Sequence, residues 1–230
     1  MPMMTSRRDF IQSSLALGAG TALAGCAATA PPEPPQPRDW FIFLERGRPT
    51  PDDKAAVAAM QRGHIDNFKR LFAAGQLLAA GPMRDPAGHK RGIVVVRAAS
   101  REELMGYFQP DEYVRDGYMS VNAVPTQPRR ALNSTGIDPD GIEEVRIVLL
   151  GRSAHAADAA GADAHLQRLL DEGRIGAWYA LQDGPLAAVL FARTKDSAAL
   201  QAALAGYPGL AEQRVSAAVW PQWLGKGVLR

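Results

Sequence analysis

At 230 residues and 47% hydrophobic content, the chain is long enough for one large domain or two small ones and carries the apolar material of a buried core. Its 26 Lys and Arg against 24 Asp and Glu give a formal charge of +2, which excludes a partner recognised through net charge, such as nucleic acid or an anionic surface. Cys26 is the only cysteine, so the globular part has neither an internal disulfide nor a thiol nucleophile.

The N-terminus reads as an address. Residues 5–12, TSRRDFIQ, put paired arginines before an uncharged stretch, SSLALGAGTALAG, that is too short to span a bilayer. Arg7, Arg8, Phe10 and Ile11 resemble a bacterial twin-arginine export signal, with Gln12 standing where a lysine is common. Leu23-Ala24-Gly25-Cys26 resembles a lipobox, which implies cleavage of the signal at the cysteine, lipidation of Cys26 and anchoring in the cell envelope. Ala27 after the cysteine implies the outer membrane, facing the periplasm. Residues 27–38, AATAPPEPPQPR, form a proline-rich tether. Loss of residues 1–26 removes Arg7, Arg8 and Asp9 and leaves 24 basic against 23 acidic residues, so the mature protein is nearly neutral.

Trp40 to Leu44, WFIFL, is a continuous apolar run expected to be a buried strand. Thr50-Pro51-Asp52-Asp53 supplies a hydroxyl cap, a first-turn proline and two carboxylates, so a helix is expected from there to Gly75. Its apolar stripe is Val57, Met60, His64, Phe68, Leu71 and Phe72. QLLAAGP reads as a strand, GHKRGIVVVRAA as a hairpin loop and a second strand, Ser100 with Glu103 as a capping box before a short helix, and YMSVNAV as a last strand. This order, βαββαβ, is ferredoxin-like: an α+β domain with an antiparallel sheet and both helices on one face.

Residues 40–127 resemble a YCII-related domain. The resemblance is carried by His64, Gly75, Gly81-Pro82-Met83-Arg84-Asp85, Gly88, Gly92, Asp111-Glu112-Tyr113-Val114 and Gly117. One departure is that Pro110 precedes Asp111 where the family commonly has a proline after the aspartate. The resemblance implies a dimeric α/β-barrel fold, a catalytic His/Asp pair with Asp111 as a further carry-over, and substrates such as lactones or hydroxylated aromatics.

Placing Gly173 on Gly75 aligns LQRLLDEGRI with NFKRLFAAGQL, and the strands and helices that follow keep step, so the second half is expected to be a worn repeat of the first. Ala162 then replaces His64, and Tyr179-Ala180 replace Gly81-Pro82. The expected divisions are a signal peptide at 1–26, the tether at 27–38, a first domain at 39–127, a linker at 128–143 and the repeat at 144–226. Two such units can close a barrel within one chain as a pseudo-dimer, or pair in a homodimer.

A histidine that moves protons needs a carboxylate to orient it, and His64 with Asp85 is the expected dyad, provided the strand after the helix brings the turn alongside. Arg84 and Tyr113 are expected to bind substrate oxygens. The competing assignments are a core histidine for His64, a turn initiator for Asp85, a loop cap for Asp111 and a core residue for Tyr113. His89, His155 and His165 are expected to be solvated. His64, Asp85 and His89 lack metal-ligand spacing, no dinucleotide or phosphate loop is present, and Arg129-Arg130 is too short for nucleic acid, so no metal or cofactor is expected. The expected function is a membrane-tethered acid–base enzyme of isomerase or lyase type acting on a small organic molecule. The alternative is a non-catalytic envelope lipoprotein that binds a ligand or a protein partner.

Overall fold

The structure is a computed structural model that describes residues 35–230; Cys26, the paired arginines and most of the tether lie outside the described residues. The elements run β1 (Arg38–Arg46), α1 (Lys54–Ala73), β2 (Leu77–Pro82), β3 (Lys90–Ala98), α2 (Arg101–Gly106), α3 (Glu112–Arg115), β4 (Met119–Arg130), β5 (Asp138–Gly151), α4 (Ala156–Asp171), β6 (Ala177–Leu181), β7 (Leu186–Ala192), α5 (Ser197–Leu204) and β8 (Ala217–Lys226).

All eight strands join one antiparallel sheet in the order β2-β3-β1-β4-β6-β7-β5-β8. The two outermost strands meet through a Met83–Gln222 bridge and an Arg84 N–H donated to Pro221 O at 2.9 Å, so the sheet is nearly closed. The result is an α+β, barrel-like fold.

Near-closure explains the continuous apolar runs. Within WFIFL, Phe41 and Phe43 point into the barrel with Tyr179 and Phe191, while Trp40, Ile42 and Leu44 point outward to Leu71 of α1 and Leu104 of α2. Both faces of the strand are thus removed from water, and alternation of apolar with polar residues is not needed. VRIVLL behaves the same way, with Val145, Ile147 and Leu149 inside and Val148 and Leu150 against the second half's helices.

Three local expectations change. The cap of α1 is Asp53, not Thr50: its carboxylate accepts from the N–H of Ala55 at 2.8 Å and Ala56 at 3.3 Å, so the helix starts three residues later than its proline signal. Phe72 is 44% exposed, and Asn67 takes its place in the buried stripe by donating to Tyr107 O at 3.0 Å. Most of the stretch expected as a linker is strand, because β4 runs to Arg130 and β5 begins at Asp138, leaving only residues 131–137 between them. Pro128 is accommodated where the β4–β6 register breaks, between Pro128 and Arg130.

Candidate active site

His64 sits on the inner stripe of α1, 8% exposed, and its partner is Asp111. The Nδ1 and Asp111 Oδ2 lie 2.6 Å apart. Asp111 is fully buried because it ends the short segment after α2 and caps α3, its Oδ1 accepting the Tyr113 N–H at 3.0 Å while its own N–H donates to Phe108 O. A one-turn helix thus fixes the carboxylate from behind. A carboxylate only accepts, so it selects the tautomer with the proton on Nδ1 and leaves Nε2 as the nitrogen available for chemistry. The ring is held by Phe68, 4.3 Å away between centroids, and by the edge of Tyr113 at 5.6 Å and 89°.

His64 also lines a cavity of about 440 Å³. Its lining joins Phe68, Gly81 and Pro82 to Ile142 and Trp223 of the second half. Gln61 and Arg91 are its polar groups besides His64. Gly81 has a packing reason: a Cβ there would stand 1.9 Å from Trp223 O, so only glycine lets β2 approach β8 at this point.

The expected His64–Asp85 dyad is therefore corrected to His64–Asp111. Asp85 spends its oxygens inside its own loop, Oδ1 accepting from Ala87 N–H at 2.9 Å and Oδ2 from His89 and Lys90 N–H at 3.0 and 2.9 Å. Partial burial pushes its carboxyl up, but these three N–H groups and the Lys90 charge outweigh that and hold it below the usual range. Its observed place is that of a turn residue. Arg84 is likewise displaced, its guanidinium lying 5.5 Å from the Trp223 ring centroid and outside the cavity lining. Tyr113 is 6% exposed and serves as packing for His64, and His89 pairs with Glu45 at 3.3 Å. His155 is exposed at the start of α4, whereas His165 is half-buried against the edge of Tyr207, and burial followed by the Arg168 charge lowers its pKa. Among the described residues no cluster of His, Cys, Asp or Glu is arranged to hold a metal ion.

Gln61, Arg91, Ile142 and Trp223 carry no motif. The α1 stripe does place Gln61 three residues before His64, but nothing in the sequence marks the second-half residues as part of the wall.

Residues 41–126 match the model of the YCII-related domain, and residues 4–24 match that of the TAT (twin-arginine translocation) pathway signal sequence. No curated protein matches the chain. In fold it resembles a candidate monooxygenase from Lactobacillus acidophilus NCFM, at TM-score 0.50 and 11% identity over 85% of this chain and 98% of that one. A candidate monooxygenase from Fusobacterium nucleatum subsp. nucleatum gives TM-score 0.53 and 9% identity over 84% and 96%. A heme-binding protein from Thermus thermophilus gives 0.45 and 12% over 84% and 94%. The chain carries a YCII-related domain at residues 41–126 behind a twin-arginine export signal.

Proposed function

We propose that the exported protein is an acid–base enzyme in which His64 Nε2 takes a proton from a small organic molecule and returns it, as an isomerase or lyase acting on a lactone or hydroxylated aromatic does. The observation that carries this is the 2.6 Å His64–Asp111 pair opening on a cavity of about 440 Å³. Asp111 positions the imidazole and stabilises the charge it acquires, a contribution of general-base type on the order of 10² to 10⁴ in rate.

The two halves are copies of one βαββαβ unit, residues 39–127 and 144–226, closed into a pseudo-dimer within the chain. Matching helix ends support this: Gly75 and Gly173 both have positive φ, at 69° and 68°, and in each half the next residue's N–H returns to a carbonyl inside the helix, Gln76 to Leu71 and Arg174 to Leu169. Residues 27–38 tether the body to a lipid on Cys26 in the envelope.

The test is turnover of small lactones and hydroxylated aromatics by the wild type, His64→Gln and Asp111→Asn. Loss of turnover with unchanged folding supports the assignment, and full activity in either variant sinks it. Ligand binding without turnover in the wild type would favour the non-catalytic alternative. Glutamine is preferred to alanine at 64, because alanine strands a buried carboxylate at a cost of about 3–5 kcal/mol.

A further inference from the structure

Beside the His64 cavity lies a second one, of about 420 Å³, lined by three arginines, Arg46, Arg48 and Arg91, and by no carboxylate. The two cavities share Gln61, Arg91 and Met119, and Tyr113, whose edge meets the His64 ring, lines the second. Arg91 therefore faces both.

These cations are positioned. The Arg46 guanidinium lies over Gly88, where a Cβ would stand 2.7 Å from Nη2, so the hairpin glycine makes room for it. Gly47 and Arg48 donate their N–H groups to Tyr118 O and Gly117 O, both at 2.9 Å, and the Arg48 guanidinium lies 4.1 Å from the Tyr118 ring centroid. None of the three arginines forms an ion pair among the described residues. Of the acids close by, Glu45 pairs with His89 and Lys90 at 3.3 and 3.5 Å, and Asp116 pairs with Arg115 through both oxygens at 2.8 and 3.0 Å while also feeling the Arg48 charge.

The second half offers a contrast at its own helix-side cavity. There the lining Arg152 donates to the carbonyls of Leu181, Gly184 and Leu186, and the lining Asp158 is bound by Arg214 at 2.8 Å. Its cations are satisfied by the protein. Three guanidiniums without an ion pair line one concavity that no carboxylate lines, so an incoming oxyanion would meet positive charge and forked hydrogen-bond donors there.

We propose that the arginine cavity is the anion subsite of the His64 site. The substrate is an organic acid whose carboxylate or phosphate rests on Arg46, Arg48 and Arg91, with its apolar part reaching toward His64, Phe68 and Trp223. The choice of substrate class rests on the acid–base reading; the anion preference does not.

Calorimetric titration of the purified full-length chain with benzoate, phenyl phosphate and the neutral methyl benzoate tests this. At least one anion is expected to bind about tenfold or more tightly than the ester, and which one does so identifies the oxyanion. Arg91→Gln and the double variant Arg46→Gln/Arg48→Gln should each bring that preference to within about twofold, while His64→Gln keeps it. All three arginines are exposed, and thermal melting of each variant checks that the fold is kept. Equal or weaker binding of both anions relative to the ester, no binding of either anion, or a preference unmoved by the arginine variants overturns the proposal. An anion preference together with full turnover in His64→Gln would instead refute the acid–base reading alone.

Discussion

Asp111→Asn isolates the positioning of His64 from the fold around it. Asparagine caps a helix as well as aspartate does, and its side-chain oxygen can still accept the Tyr113 N–H that Oδ1 takes at 3.0 Å. The amide nitrogen then faces His64 Nδ1 across the position where the carboxylate accepts at 2.6 Å. An amide N–H donates, so Nδ1 becomes an acceptor and the imidazole proton moves to Nε2. The nitrogen available to the cavity can then no longer take a proton. Turnover should fall by about 10²- to 10⁴-fold, equivalent to roughly 3–5 kcal/mol of barrier, with melting temperature little changed. The assay that needs no substrate is ¹⁵N NMR of the imidazole, which distinguishes the two tautomers directly. Wild type and Asp85→Asn should show Nδ1–H, and Asp111→Asn should show Nε2–H. Retention of Nδ1–H in Asp111→Asn, or a tautomer change in Asp85→Asn, would refute the assignment of Asp111 as the orienting group.

Asp85→Asn should lower stability by about 1–2 kcal/mol, read by thermal melting, because an amide has one acceptor oxygen where the carboxylate uses two, so either the Ala87 N–H or those of His89 and Lys90 lose their acceptor while turnover stays intact. Since those groups hold the Asp85 carboxyl below its ordinary value, its stabilisation is present above the ordinary carboxylate range and is lost as pH falls through the lowered one, so the variant should flatten the acid side of the stability profile. Gly81→Ala places a methyl 1.9 Å from Trp223 O and should cost about 1–3 kcal/mol while parting β2 from β8 at the His64 cavity, seen as a lower melting point and weaker ligand binding. Cys26→Ser should move the protein from membrane to soluble fractions; unchanged fractionation would count against a lipid anchor.

Most of the fold was legible because its strands and helix ends are written locally. The apolar runs, Gly75 and the Ser100–Glu103 box each specify structure within a few residues of themselves. His64 was legible for the same reason, being a histidine in an otherwise apolar stripe. Its partner was not. Asp85 is nearer in sequence and follows the Gly-Pro turn, whereas Asp111 is 47 residues from His64 and reaches it through α3, a single turn with no periodicity to read.

The second half of the chain closes the cavity that His64 lines. The first four strands in the order β2-β3-β1-β4 leave β2 as an open edge, and α1 with β2 alone gives His64 a groove instead of a cavity. The second half supplies β8, whose Gln222 bridges Met83 and whose Trp223 carbonyl fills the space left by Gly81. It also supplies Ile142, 74% exposed, at the rim. His64 and Asp111 therefore stand in the first half of the chain, and part of their cavity wall comes from the second. A bulky residue at 81 would meet the Trp223 carbonyl and disrupt this enclosure, so the glycine of the Gly-Pro pair is tied to the wall.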